Sequence, residues 1–149
     1  VKEQLGTEQV EKLRKGLEDL GFELIDDRKS LLIEQIKAEV IRLVRHDEDG
    51  VKVNLSDHLS ARFNRDYGHL SRLFSEVTGT TIEKYLIAQK MELAKELLAY
   101  GELSLSEIAD RLGYSSAAYL SARFKSATGL TPSHFRRMGE KRRKPLDKV

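Results

Sequence analysis

An internal repeat limits what this chain of 149 residues can fold into more than any other feature. The stretch LSRLFSEVTGTTIEKY at 70–85 matches LSARFKSATGLTPSHF at 120–135 at an offset of 50, where Leu, Ser, Phe, Thr, Gly, Thr and a closing aromatic residue coincide. Upstream the match continues at an offset of 49, which pairs Leu55, Leu59 and Phe63 with Ser104, Ile108 and Leu112. Because self-similarity at a fixed spacing marks a unit that occurs more than once, the sequence predicts two copies of one module.

Each copy is predicted to begin with a capped helix. In the second copy, Ser104 and Glu107 have the spacing of a capping box, in which each side chain accepts a hydrogen bond from the other residue's backbone amide. Asn54 and Asp57 are a looser version of this pair in the first copy. The predicted buried face of the helix in the second copy consists of Leu105, Ile108, Ala109 and Leu112.

A tight turn and a second helix are predicted to follow in each copy. Asn64 and Gly113 stand where the first helices end, and these two residue types adopt the left-handed backbone conformation at the least cost. The second helices are expected to start after Asp66 and after Ser115. Two helices joined in this way predict a helix-turn-helix.

The second helix of each copy has one apolar face and one face of short or polar side chains. The predicted inward residues are Tyr67, Leu70, Leu73, Phe74 and Val77 in the first copy and Ala117, Leu120, Phe124 and Ala127 in the second. The predicted outward residues are Gly68, Ser71, Arg72 and Ser75 in the first copy and Ala118, Ser121, Ala122 and Lys125 in the second. Because a recognition helix must enter a DNA groove without obstruction, this outward face is typical of DNA binding.

Residues 82–98, between the copies, are predicted to form one continuous helix capped by Thr81. At about 1.5 Å per residue, this helix would span roughly 25 Å and hold the two modules apart. Double-stranded DNA repeats its major groove about every 34 Å. Two second helices held on one side of such a linker could therefore enter successive grooves.

The residues in front of the repeat predict a separate front segment, 1–28. Apolar residues recur at helical spacing over 7–20, Thr7 is the expected N-cap and Gly21 the expected stop. A short strand is predicted at 22–25. This helix and strand resemble the end of a ferredoxin-like α/β domain of the heavy-metal-associated type, and the absence of an initiator methionine suggests a fragment of a longer protein.

A connecting helix is predicted over 29–49. Between Ser30 and His46 its apolar stripe is wider than one contact surface needs, so the helix is expected to be buried on two sides. One interpretation is packing within its own domain, and the alternative is a homodimer through the 30–46 helix. The polar stretch HDEDG at 46–50 is the expected domain boundary.

Charge and composition restrict the class of protein. The net charge is +2, with nine basic against thirteen acidic residues in 1–50 and seventeen against eleven in 51–149, so the second part suits a polyanion partner. The absence of cysteine excludes disulfides, thiolate zinc sites and thiol catalysis in this chain. No apolar run approaches a membrane span, so the cytoplasm is the expected location and no membrane partner is expected.

The four histidines show no paired ligand spacing, and no catalytic triad or phosphate loop occurs, so neither an enzyme, a metal nor a cofactor is expected.

The second copy resembles the signature of the AraC/XylS transcriptional regulators. The matching stretch SLSEIADRLGYSSAAYLSARFKSATGLTPSHFRR, 104–137, includes the Ile-Ala pair, Gly113-Tyr114, Phe124-Lys125, Gly129, Thr131-Pro132 and the terminal Phe-Arg. The resemblance covers about 52–138. It implies a mainly α, seven-helix domain over 50–138, with tandem helix-turn-helix modules. It also implies that the protein is a bacterial activator or repressor that binds double-stranded DNA, with RNA polymerase as a further candidate partner.

The repeat and the resemblance together predict which residues meet DNA. The predicted base-reading residues are Gly68, Ser71, Arg72, Ala118, Tyr119, Ser121 and Ala122. The predicted phosphate contacts are Arg65, Ser75, Lys90, Lys125 and Arg136. The family commonly has Ser-Arg where this chain has Ser121-Ala122, and Arg123 falls by helical phase on the flank nearer the core. The second copy is therefore expected to be poor in base readers, whereas Arg72 could bind guanine bidentately.

Two expectations remain open from the sequence. The basic tail 139–149 contains EKRRK, which is predicted either to be a disordered basic tail or to contact the DNA backbone. The alanines of the second copy leave an alternative function for the whole chain, a helical protein-interaction module that has kept the fold and lost DNA binding.

Overall fold

The computed structural model describes residues 2–46 and 52–147, without the side chains of 2–7, 22–25 and 141–147. Within these ranges the backbone forms seven helices and no strand: α1 Lys2–Arg45, α2 Leu55–Phe63, α3 Tyr67–Thr78, α4 Ile82–Tyr100, α5 Leu105–Arg111, α6 Ala117–Thr128 and α7 Pro132–Asp147. The chain divides into two compact units, Val1–Ile36 and Lys37–Val149. The mainly α fold with tandem helix-turn-helix modules is confirmed.

Helix α1 corrects the sequence prediction for the front segment. The backbone is helical through Gly21 and through 22–25, so the predicted stop and the predicted strand are both wrong. Gly21 lacks the positive φ of a helix-ending glycine, and glycine within a helix costs only about 1 kcal/mol relative to alanine. A short stretch with three apolar residues, such as FELI at 22–25, is compatible with either helix or strand. Within 8–21 of this helix, four apolar side chains are more than half exposed: Val10, Leu13, Leu17 and Leu20.

The 30–46 stretch of α1 buries most of its apolar side chains. The buried residues are Leu32, Ile33, Ile36, Val40, Leu43 and Val44, whereas Leu31 is 59% exposed. Burial within a single chain favours the packing interpretation over a dimer seam. Of the expected boundary at 46–50, residues 47–50 lie outside the described part of the chain.

The two modules form equivalent hydrogen bonds as well as having similar sequences. Helices α3 and α6 have 12 residues each and end at Gly79 and Gly129, with φ of 78° and 81°. In the first module the Thr78 hydroxyl donates to the Phe74 carbonyl at 2.6 Å. The Thr128 hydroxyl donates to the Phe124 carbonyl at 2.8 Å in the second. The duplicated unit therefore extends to individual side-chain contacts.

The predicted caps of the first helices are confirmed, with one change of register. Asn54 accepts from the amide of Asp57, and Ser104 forms the full capping box with Glu107. These N-caps are 50 residues apart, whereas Asn64 and Gly113, with φ of 52° and 79°, are 49 apart. The first helix of the second copy is therefore one residue shorter than that of the first copy. Leu55 thus corresponds to Leu105 and not to Ser104. The second helix of the second module is capped by Ser116, one residue later than predicted.

Helix α4 contacts α3, α6 and α7, and it therefore links the two modules. It is two residues longer than predicted, and the Thr81 side chain caps it by accepting from the amide of Lys84. The second module shares a core with α4 that consists of Val44, Met91, Leu93, Ala94, Leu98, Ile108, Ala109, Leu112, Leu120 and Phe124. Leu59, Leu70, Phe74 and Ile82 are fully buried in the first module. Val77 and Ala127 are exposed, so their inward assignment was wrong.

Candidate nucleic-acid interface

The exposed side of α3 carries the predicted base-reading residues of the first module. Burial of Leu70 and Phe74 turns Gly68 and Arg72 outward, and both are exposed. The Arg72 Nε atom donates weakly to the Gly68 carbonyl at 3.4 Å, which leaves the rest of the guanidinium available. Ser71 and Ser75 are half-buried at the edge of this face.

The start of α3 is attached to the linker helix. The Tyr67 hydroxyl donates to the Glu83 carboxylate in the first turn of α4 at 2.5 Å. Burial, and then this hydrogen bond, raise the pKa of Tyr67 above its ordinary value of 10.0. The tyrosine therefore stays protonated and fixes α3 on α4.

The exposed side of α6 carries short side chains, as the sequence predicts. Ala118, Ala122 and Lys125 are exposed, Tyr119 is 45% exposed and Ser121 is half-buried. The exposed side of α6 is therefore lined mainly by short side chains.

Arg123 is exposed and does not lie towards the core, which corrects the sequence prediction. Its Nε atom donates to the Tyr119 hydroxyl at 3.3 Å, and its guanidinium lies 5.6 Å from the centroid of the Tyr119 ring. Helical phase gives the direction in which a side chain leaves the backbone, and a long arginine can still carry its charged end to the surface. The second module therefore does present an arginine, one position after the one that the family resemblance suggests.

Lys90 was predicted to contact phosphate, but it is only 9% exposed. Its Nζ atom lies 4.9 Å from the centroid of the Tyr114 ring, within cation–π range. Burial, and then the positive charge of Arg123, lower the pKa of Lys90 below its ordinary value of 10.5. Lys90 therefore exposes little of its side chain for a contact with phosphate.

Arg136 was also predicted to contact phosphate, but its guanidinium binds backbone carbonyls. It donates to the carbonyls of Leu98 at 3.3 Å and Leu103 at 2.8 Å. The last carbonyls of a helix lack partners within the helix, so Arg136 closes the end of α4. Of the predicted phosphate residues, the structure leaves Arg65 and Lys125 exposed and Ser75 half-buried at the surface.

A buried carboxylate that the sequence did not reveal joins the end of α1 to the first module. Glu39 is 8% exposed, and its carboxylate lies 2.6 Å from Arg42 Nη2 and 2.8 Å from His58 Nε2. Arg62 Nε lies 4.0 Å from the other carboxylate oxygen. Arg42 lies three residues after Glu39 on the same helix, whereas His58 and Arg62 come from α2, so the contact between α1 and α2 completes the cluster.

The end of α1 also contacts the linker helix and the second module. Arg45 pairs with Glu96 of α4 at 2.7 Å, and Arg111 of α5 donates to the Arg45 carbonyl at 3.0 Å. The segment of α1 that carries Glu39 and Arg45 therefore contacts both modules and also α4.

The described residues contain neither a metal cluster nor a membrane-spanning helix. No group of three or more His, Asp or Glu side chains in 2–46 and 52–147 could hold a metal ion. None of the helices in this part of the chain combines the length and the apolar character that a bilayer span requires.

Comparison with known proteins identifies the family. A family model described as a helix-turn-helix domain matches residues 59–138, more than half of the chain. YesN, an uncharacterized transcriptional regulatory protein of Bacillus subtilis, is 39% identical over 106 residues, which cover 67% of this chain and 28% of that protein. The DNA-binding domain of AdpA, solved with a target DNA, is 28% identical with a TM-score of 0.61 and covers 72% of this chain and 96% of that one. The chain belongs to the AraC/XylS family.

The AraC/XylS assignment shows that this chain carries the DNA-binding domain of a transcription regulator. The xylose operon regulatory protein of Escherichia coli K12 is 34% identical over 91 residues, which are 61% of this chain and 22% of that protein. The chain thus spans less than a third of the length of YesN and of the xylose regulator.

Proposed function

We propose that this chain binds double-stranded DNA sequence-specifically, with α3 and α6 in successive major grooves. The observation that carries the proposal is the pairing of these helices. They have equal length, the same C-terminal cap, one buried apolar face and one exposed face, and both contact α4. At about 1.5 Å per residue, the 19 residues of α4 span roughly 28 Å, a length similar to the groove repeat of about 34 Å.

The two helices are proposed to differ in what they contribute. Arg72 on α3 has an exposed guanidinium that can bind a guanine edge bidentately. Ala118 and Ala122 on α6 could contact thymine methyl groups, and Lys125 lies on the same exposed face. The first module would therefore supply most of the base specificity and the second most of the anchoring.

Selection of bound sites from random duplexes, followed by a titration of the selected site at several salt concentrations, tests the function. Because binding to phosphates releases counterions, the binding constant should fall steeply and log-linearly as salt rises. A scrambled duplex should bind more weakly at every salt concentration. If no DNA is enriched and no salt-dependent binding occurs, the alternative of a protein-interaction module is favoured instead.

Arg72→Ala should relax the base preference at one position of the selected site. Loss of one bidentate contact should reduce discrimination there by about 1–3 kcal/mol. Arg65→Ala is the matched control, because Arg65 is also exposed but is predicted to contact phosphate. The Arg65→Ala control should weaken binding to all DNA sequences equally. Identical site preferences for the wild type and Arg72→Ala would contradict the role of Arg72.

The wider functions of the protein are part of the proposal. Regulation of transcription by activation or repression, contact with RNA polymerase and a cytoplasmic location are supported by the family alone. Most apolar residues of the 30–46 helix are buried, which gives no support to a homodimer through this surface. The reported relatives are transcriptional regulators, and no catalytic role is proposed.

A further inference from the structure

Four side chains near the start of α6 form a continuous row, here called the cationic stack: Arg123, Tyr119, Tyr114 and Lys90. The Arg123 guanidinium lies 5.6 Å from the Tyr119 ring centroid, and the Tyr119 and Tyr114 rings are 5.3 Å apart. Lys90 Nζ lies 4.9 Å from the centroid of the Tyr114 ring. Two aromatic rings thus connect two cations through successive contacts.

The cationic stack holds two positive charges without a counter-ion. Among the described residues, no carboxylate forms an ion pair with Lys90 or with Arg123. The Lys90 side chain is nine-tenths buried, and the positive charge of Arg123 contributes to lowering its pKa. Two neighbouring cations that lack an acidic partner attract an anion, because an anion relieves their mutual repulsion.

The cationic stack lies next to the N-terminus of the second recognition helix. Tyr119 is in the first turn of α6, and its amide donates to the side chain of the N-cap Ser116 at 3.1 Å. Helix N-termini carry the positive end of the helix dipole, which adds to the attraction for an anion. The hydrogen bond of 3.3 Å from Arg123 Nε to the Tyr119 hydroxyl holds the guanidinium at this end.

We propose that Arg123 binds a phosphate of the DNA backbone beside the start of α6, with Tyr119 as its positioning residue and Lys90 as a second positive charge below. The proposal rests on the DNA binding proposed above. A phosphate fits better than a base edge, because a base edge carries no net charge to offset the two cations. The interaction would replace the arginine that the second module lacks at Ala122.

The experiment uses the full chain and its selected duplex, and it measures the binding constant over a series of salt concentrations. Arg123→Ala should reduce the slope of log binding constant against log salt by about 0.9, the value for one phosphate contact. Affinity for every sequence should fall by a similar factor, and the selected site should stay the same. Arg123→Lys keeps the charge and should restore most of the slope.

Two further variants test the positioning role of Tyr119. Tyr119→Phe keeps the ring and removes the hydroxyl that accepts from Arg123, so it should keep most of the slope. Tyr119→Ala removes the ring as well and should lower the slope towards that of Arg123→Ala. Arg14→Ala, an exposed arginine in the front segment, is the matched control and should leave the slope unchanged.

The possible outcomes separate the two proposals. Absence of salt-dependent DNA binding by the wild type would overturn the proposed function and with it this inference. A wild type that binds DNA while Arg123→Ala keeps its salt slope would overturn the inference alone. A change in base preference at one position, with the slope unchanged, would show that Arg123 reads a base and would equally overturn the phosphate assignment. Circular dichroism of each variant verifies that it is folded.

Discussion

Replacing Phe124 with alanine is expected to lower the free energy of unfolding by about 3–5 kcal/mol. Phe124 is fully buried in the core that the second module shares with α4, and its ring packs edge-on against Phe135 at 5.5 Å. The substitution removes this aromatic contact and leaves a cavity that the surrounding helices can only partly close. Urea unfolding followed by circular dichroism measures the change.

Val77→Ala is the matched control for the loss at Phe124. Val77 lies on α3 and was assigned to the inward face from the sequence, but it is 49% exposed. The control should change the free energy of unfolding by no more than about 0.5 kcal/mol. A large loss at Val77, or an unchanged unfolding curve for Phe124→Ala, would mean that the two faces are wrongly assigned.

Glu39→Gln is expected to destabilise the protein at neutral pH by on the order of 3 kcal/mol and to lose this effect in acid. The hydrogen bond from Arg42, opposed by burial and supported by His58, lowers the pKa of Glu39 from 4.5 to about 2. A carboxylate with a lowered pKa stabilises the folded state above the unfolded pKa. This contribution disappears as pH falls through the folded pKa. The difference between wild type and variant should therefore shrink from pH 4.5 towards pH 2.

Glu96→Gln provides the control for this pH dependence. Glu96 also pairs with an arginine, Arg45, but its side chain is 51% exposed, and exposed ion pairs contribute at most about 1 kcal/mol. Unfolding in urea at several pH values should show a small difference for Glu96→Gln. Parallel curves of stability against pH for wild type and Glu39→Gln would contradict the role assigned to Glu39.

The first module shows why local prediction worked for most helices. The caps at Asn54, Asn64 and Thr81 depend on residues within four positions along the chain, so sequence alone contains the needed information. The front segment shows the opposite case. Gly21 and the apolar run 22–25 are compatible with more than one conformation, and the structure is helical there. The division of the chain into 1–28, 29–49, 50–138 and 139–149 stays a prediction. The expected disorder of the tail is wrong as far as Asp147, because the backbone of α7 is helical up to that residue.

The candidate interface was predictable only in part. Arg72 and Ala122 are exposed, as their helical phase indicates. Phase did not reveal that Arg123 reaches the surface over Tyr119, or that Lys90 lies beneath Tyr114. The end of a long side chain goes where neighbouring helices leave room for it, and that room is a property of their packing.

The amino-acid sequence by itself determined the duplicated module, most of its caps and most of the two faces of its second helices, because each depends on spacing along one helix or one turn. Tertiary structure decided which charged groups are free to meet DNA. Arg136 closes the end of α4, and His58 of α2 contacts Glu39 of α1, since contacts between helices distant in the chain satisfy or bury a charge independently of local spacing.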